Sequence, residues 1–417
     1  MRKLALHGGE PVCAQRIDPT RHRPLRFDNA EKDALLRVVH SGALCRTFGT
    51  EADLFELETA RFFDSPYAVA ASSGTAAIHT ALAAVGTGWQ DEVITSPITD
   101  IGSIIGIVAQ GARPVFADLD HRTYNMTPES VGMALTGRTK AILVVHLAGL
   151  SCEIEAICEL ARGHGASVVE DCAQSWLARY KGRPVGTFGQ VGCFSLNGYK
   201  HISTGDGGVA ITADSELARR MRLFVDKAYD RQKEVRNPEV FAMNYRMTEL
   251  QAAVGREQLK KLGSIIGRRR EIARRLLVTL ADVPGLLLPV EPEGFSHSWW
   301  YFVIRADRER VRSSTAEITR ALAAEGLPAW TGYCGGQPVY LYDCFTDRSK
   351  AFFKLPPLAP GTNDFPSGLY PRGLCPVAER VVGEMIIISM SEFYAEQEVE
   401  NIAGGIRKVF TWYASQK

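Results

Sequence analysis

Short apolar runs alternate with amphipathic stretches between about residue 66 and residue 212. The runs at 92–97, 114–119, 141–147, 167–170, 193–196 and 208–212 are brief and rich in β-branched residues. That pattern predicts strands buried on both faces. Helical periodicity separates several of them. Positions 74–85 are alanine-rich, with Ser72 or Ser73 as N-cap; 154–164 stop at Gly165; 215–225 are entered through Asp214. Strands alternating with helices imply an α/β fold around a mainly parallel central sheet.

Past about residue 245 the texture changes. Positions 246–262 and 265–280 predict two long amphipathic helices. The second carries Arg268, Arg269 and Arg270, which read as a solvated face rather than an anion site. Beyond 286 come a strand at 299–305, a helix at 315–325, a Pro/Gly-rich loop region at 332–376, an apolar strand at 385–390 and a last helix at 396–413. This predicts a smaller α+β C-terminal domain with one long loop, a feature more often functional than accidental. The expected division is an N-terminal arm over 1–25, a large domain over 26–262 and a small domain over 263–417.

Composition narrows the picture. The 417 residues carry a net charge of +1, so nothing points to nucleic acid or a membrane surface as partner. No run approaches twenty apolar residues, and the N-terminus MRKLALHGGEPV is too short in its apolar part for a signal peptide. The nine cysteines are scattered without zinc-site spacing, which suits free thiols in the cytoplasm and no metal.

The stretch from 170 to 208 holds the candidate chemistry. Asp171 ends the apolar run ASVVED, where open α/β sheets place their ligands. Lys200 follows 29 residues later, between the strand CFSL and the turn STGDGG, with Ser195 five residues before it. A partly desolvated lysine has a lowered pKa and serves as nucleophile and proton carrier. These are groups that a pyridoxal phosphate (PLP) enzyme needs: a lysine for the Schiff base, a carboxylate for the ring nitrogen, and donors for the phosphate. Gln174 lies close enough to donate to the cofactor's phenolic oxygen. Ser72, Ser73, Gly74 and Thr75 open the first helix, whose free N–H groups attract phosphate. Glu170, by strand alternation, faces away from Asp171.

The strings SSGTAA, DEVI…PVFADLD, VHLAG, VEDCAQS, GTFGQVGCFSLNGYK, GDGG and NYRMTELQAAVG occur in this order. SHSWWYFVIR and EGLPAWTGY follow in the C-terminal half. Over roughly residues 26 to 410 the chain resembles the DegT/StrS family of sugar and cyclitol aminotransferases, a branch of the fold-type I PLP-dependent enzymes. The resemblance implies PLP as cofactor and Lys200 as its Schiff-base lysine. It implies Asp171 as partner of the ring nitrogen, Gln174 beside the phenolic oxygen, and Gly74, Thr75 and Ser195 on the phosphate. Asn244 matches an asparagine that reaches the phosphate from the other subunit, which implies a homodimer with shared sites. The amino donor implied is L-glutamate or L-glutamine, and the acceptor a keto-sugar, nucleotide-linked, or a keto-cyclitol. The process implied is amino-sugar or aminocyclitol biosynthesis, for an antibiotic or a polysaccharide.

Two departures matter. Where much of the family has an aromatic residue that stacks on the cofactor, this chain has SPITDIGS, with Asp100 at that place. The family's GEGG is GDGG here. Relatives with histidine in place of the lysine are sugar dehydratases, whereas this chain keeps Lys200 and has His201 one place later. Tyr229, Arg231, His297 and Tyr333 are the candidate substrate residues. Trp299 and Trp300 read as core packing. Two rival readings are an eliminating or rearranging PLP enzyme, suggested by Asp100, and a non-catalytic regulatory protein on the same scaffold.

Overall fold

The computed structural model describes residues 3–231, 233, 237–347 and 370–416. The chain begins with two 3₁₀ turns and two helices, α1 (Asn29–Ser41) and α2 (Glu51–Phe62). Next come β1 (Tyr67–Ala71), α3 (Gly74–Ala84), β2 (Glu92–Thr95), α4 (Ile101–Ala109), β3 (Arg113–Phe116), α5 (Pro128–Ala134), β4 (Thr139–Val145), α6 (Ile154–His164) and β5 (Ser167–Asp171). A two-strand ribbon, β6 (Arg179–Tyr180) and β7 (Arg183–Pro184), precedes β8 (Val191–Ser195), β9 (Gly208–Thr212) and α7 (Ser215–Val225).

The main sheet has the order β1-β9-β8-β5-β4-β2-β3. The pairs β8–β5, β5–β4, β4–β2 and β2–β3 are parallel, and β9 alone runs against its two neighbours. The fold is thus α/β with a mainly parallel sheet. Strands β2, β8 and β9 are buried along their length because helices cover both faces, which is why they read as continuous apolar runs. The buried helix α3 packs on β8 and β9 and between α4 and α7. Its N-terminus therefore sits at the end of the sheet where β5 and β8 finish.

The two helices expected at 246–262 and 265–280 are one helix of 32 residues, α8 (Glu249–Leu280). The expected break falls at Gly263 and Ser264, which have weak helix propensity. Packing on both sides outweighs it. Leu259, Leu262, Ile265 and Ile266 face the core under β8 and β9, while Ile272, Ala273, Leu276 and Leu280 enter a second core.

That second core belongs to an antiparallel sheet of order β10-β12-β14-β13, made of β10 (Leu286–Leu287), β12 (Tyr301–Ala306), β13 (Ala329–Thr331) and β14 (Ile386–Ser389). It is covered by α9 (Thr315–Ala324) and α12 (Glu396–Ser415), between which the chain forms the shorter α10 (Asp343–Thr346) and α11 (Pro376–Glu384). Strand β11 (Phe295–Ser296) instead joins the β6–β7 ribbon. Leu4, Cys13 and Ile17 are buried in this second core as well. Glu325 holds the segment by accepting from Ala5 N and Val12 N, at 2.9 and 3.0 Å.

Part of the loop region expected at 332–376 lies outside the described residues. Its described beginning docks on the large sheet: Val339 N donates to Pro97 O at 2.9 Å, and Cys334 Sγ to Thr99 O. The arginine run is not a solvated face. Arg269 is 2% exposed and ion-paired with Glu392, because α8 presents it to the seam between the two cores. Arg270 donates to the carbonyls of His297 and Leu177.

Candidate active site

A cavity of about 480 Å³ opens where β5, β8 and the start of α3 meet. Gly74, Thr75, Asp100, Asp171, Ser195, Lys200 and Tyr333, all candidates from the sequence, line it. Ser73, Ser103, Asn197, Tyr199, Asp206 and Trp300 complete much of the wall.

Asp171 ends β5 and is buried. Its Oδ2 accepts from Ser103 Oγ at 2.7 Å, and its Oδ1 from Ala173 N at 3.0 Å. Thr99 Oγ1 lies 2.6 Å from the same Ser103 hydroxyl. Burial pushes the Asp171 carboxyl above its ordinary value, opposed by Ser103, Ala173 N–H and the Lys200 charge. Desolvation likewise lowers the Lys200 amine, and Asp171 and Asp100 oppose it. Lys200 Nζ lies 4.3 Å from the centroid of the Trp300 ring. The pair is a desolvated amine and carboxylate on one cavity, an arrangement suited to proton transfer.

The phosphate end is built from α3. Ser73 Oγ accepts from Ala76 N at 3.0 Å. The Gly74 and Thr75 N–H groups come before the helix's own bonding pattern begins, and both residues line the cavity. A Cβ on Gly74 would sit 2.6 Å from Ser195 Cβ, so only glycine lets the helix start lie against the serine. Ser195 Oγ accepts from Asn197 N at 3.3 Å and is left with its proton to donate. Backbone donors, a hydroxyl and a helix N-terminus fit a dianionic phosphate.

Asp100 caps α4 by accepting from Gly102 N at 2.8 Å. Its carboxylate faces the cavity where an aromatic ring was the family expectation. Aromatic surface comes instead from Tyr199, Trp300, Tyr301 and Tyr333. Gln174 Oε1 accepts from Ala148 N at 2.9 Å, and its Nε2 donates to Tyr333 Oη at 2.7 Å. Gln174 thus reaches the cavity through Tyr333. Trp300 is a cavity residue and not core packing alone; Trp299 is core, stacked on His297.

Glu170 faces the other side of β5, as alternation requires. It accepts from the N–H groups of Gly186, Phe188 and Gly189 and lies 3.0 Å from His146 Nε2. His146 Nδ1 accepts from Cys152 N, so both ring nitrogens are engaged in protein contacts.

Three substrate candidates are not on this cavity within the described residues of the chain. Arg231 is held by Asp226, with contacts of 2.6 and 2.9 Å, and Tyr229 lies beside Arg231 and Lys227. The local carboxylate captures the guanidinium before it can reach the sheet end. His297 is buried in a turn, its ring 3.9 Å from that of Trp299 and its Nδ1 accepting from Trp299 N. The turn packs on Gly149, where a Cβ would come within 2.7 Å of Trp299 N. Asn244 is exposed and pairs by backbone with Asp226, away from the chain's own cavity.

Ser103, which no motif singles out, and Trp300, which reads as core packing, meet their partners from 68 and 100 positions away. No local spacing marks them.

The buried imidazoles predict an acid limit. Burial lowers His297 to about 3 and His79 to about 4, against the ordinary 6.5 of an imidazole. A depressed folded pKa contributes stability that is complete above 6.5 and is lost as pH falls toward the folded value. By pH 5 each costs ~2 kcal/mol. Thermal unfolding followed from pH 7.5 to pH 5 is expected to show a falling Tm, and a flat profile contradicts the assignment of both rings as neutral.

Comparison with known proteins agrees with this geometry. A family model described as the DegT/DnrJ/EryC1/StrS aminotransferase family matches residues 26–358. The chain is 38% identical over 307 residues to the spore coat polysaccharide biosynthesis protein SpsC of Bacillus subtilis (strain 168), covering 71% of this chain and 78% of that protein. A solved aminotransferase from Psychrobacter cryohalolentis superposes with a TM-score of 0.82 at 33% identity, over 93% of this chain and 98% of the other. DesV of S. venezuelae, solved in complex with a ketimine intermediate, gives a TM-score of 0.81 at 31% identity, over 97% and 100%.

Proposed function

We propose that this chain, which belongs to the DegT/DnrJ/EryC1/StrS aminotransferase family, transfers an amino group from L-glutamate or L-glutamine to a nucleotide-linked keto-sugar or a keto-cyclitol. The family is PLP-dependent and the enzyme is an aminotransferase of sugar type. One observation supports the reading most: Lys200, Asp171 and the α3 N-terminus converge on one cavity from three separate segments.

PLP supplies an aldehyde for amine exchange and a ring that takes up charge when a substrate C–H bond breaks. The chain's own groups do the rest. Asp171, held by Ser103 and Ala173 N–H, would keep a proton on the ring nitrogen. Gly74 N–H, Thr75 N–H and the Ser195 hydroxyl would bind phosphate. Lys200 Nζ, with its lowered pKa, would anchor the cofactor and, once released, carry protons to and from the substrate carbon. Tyr333, fixed by Gln174, would offer its hydroxyl on the substrate side.

The homodimer reading is supported by exposed Asn244 and by exposed apolar Val240 and Phe241 close to it in sequence. Nine free cysteines suit a reducing compartment, the cytoplasm. No helix among the described residues is long and apolar enough to cross a membrane. The relative named for spore coat polysaccharide supports an amino sugar destined for a polysaccharide.

The test is a half-reaction. With PLP bound, L-glutamate or L-glutamine should release one equivalent of 2-oxo acid per site and bleach the visible band. A keto-sugar or inosose should restore it. Release of no 2-oxo acid from either donor would sink the proposal in favour of elimination chemistry or of a regulatory protein.

A further inference from the structure

Glu392 lies just after β14 and is buried in the seam between the two cores. Two guanidiniums converge on it. Arg26 Nε donates to its Oε1 at 2.8 Å, and Arg269 Nε and Nη2 donate to its Oε2 at 2.9 and 2.8 Å. Burial opposes ionisation of this carboxyl, and the two guanidiniums overcome that, holding it below the usual range.

Other donors of both arginines end on backbone carbonyls of the two segments that carry Lys200 and Trp300. Arg26 Nη1 donates to Lys200 O at 2.7 Å. Arg269 Nη1 donates to Trp299 O and Trp300 O at 3.2 and 3.4 Å. The Trp300 indole N–H closes the arrangement by donating to Tyr199 O at 2.9 Å. One carboxylate therefore holds the backbone that carries Lys200 and the backbone that carries the ring under its amine. The three charged residues come from the N-terminal segment, from α8 and from the turn before α12.

A buried ion triad is weak evidence for stability, because desolvation offsets most of its attraction. Its placement says more. Two of its arms end on the lysine and on the lysine's aromatic neighbour. We propose that Glu392, acting through Arg26 and Arg269, is a positioning residue for Lys200, fixing the amine against Trp300 and toward the cavity. The proposal rests on the reading of Lys200 as the reactive amine. A glutamine at 392 cannot replace the carboxylate, since its amide would set N–H against N–H of one guanidinium and leave two cations facing each other.

The experiment compares wild type, Glu392→Gln and Arg26→Met as full chains. Competitive acylation before cofactor is added, read by mass spectrometry of the Lys200 peptide, gives the pH midpoint of the amine. Borohydride reduction of the holoenzyme identifies the lysine that holds PLP. Freed of its fixed, desolvated seat, Lys200 should titrate higher by about half a pH unit or more in both variants. In the same variants kcat should fall at least about tenfold with KM little changed, the pattern of misplaced chemistry rather than lost binding. Midpoints equal to wild type in variants with native circular dichroism overturn the proposal. Should Glu392→Gln not fold, Arg26→Met decides in the same way, because it leaves the Arg269–Glu392 pair intact. A borohydride trap at another lysine in wild type overturns the reading of Lys200 itself, and this proposal with it.

Discussion

Lys200→Ala is expected to leave a folded protein with no cofactor band and with turnover reduced ~10⁴-fold or more. Among the described residues the side chain is the one amine that lines the cavity, so no described neighbour can take over its bond to the cofactor or its proton transfers. The backbone does not depend on it. Lys200 N donates to Asn197 O at 2.9 Å and Lys200 O accepts from Arg26, and both contacts survive truncation. Loss of the contact with the Trp300 face costs about 2 kcal/mol, offset in part by removing a desolvated charge. Absorbance between 350 and 450 nm, kcat and Tm on the same preparation check the three parts. A variant that keeps the band and the turnover would contradict the assignment; one with a collapsed Tm would say that the residue is structural.

Asp171→Asn is expected to separate activity from stability. The amide has the shape of the carboxylate, can still accept from Ala173 N–H, and can donate to Ser103 Oγ. It cannot keep a ring nitrogen protonated. Losing that preorganised charge should lower kcat on the order of 10³-fold. Stability should move the other way. The Asp171 carboxyl is raised above its unfolded value by burial. A raised acid contributes stability below the unfolded pKa and loses it as pH rises through the folded one, so at neutral pH the ionised group is a net cost. Asparagine removes that cost, and Tm at pH 7.5 should stay level or rise. A second sign is testable: without the Asp171 charge, which favours the ammonium form, the Lys200 amine should titrate lower than in wild type. Unchanged kcat with a lower Tm would mean that Asp171 is only a packing group.

Much of this site could be read from local pattern. Asp171 and Ser195 end strands, and Gly74 opens a helix; all three follow from apolar runs and their punctuation. Lys200 follows from its place after β8. The misplacements have a common cause. Arg231 is captured by Asp226, five residues away in the chain. His297 is turned inward by the buried turn under Gly149. Arg269 looked like part of a solvated run but meets a carboxylate 123 positions away. The break expected near Gly263 is bridged because α8 packs on two cores at once.

Periodicity and chain order alone thus determine the alternating α/β layout, the mainly parallel sheet and the strand ends where ligands gather. These depend on interactions between near neighbours, and burial on both faces leaves a signature in composition. Only the tertiary structure decides which side chains close on Lys200. Ser103 fixes Asp171 from α4, Trp300 lies under the amine from the turn before β12, and Glu392 ties both backbones through two arginines. Those contacts join segments brought together by packing of the two cores, and the distance between partners along the chain erases them from any local pattern.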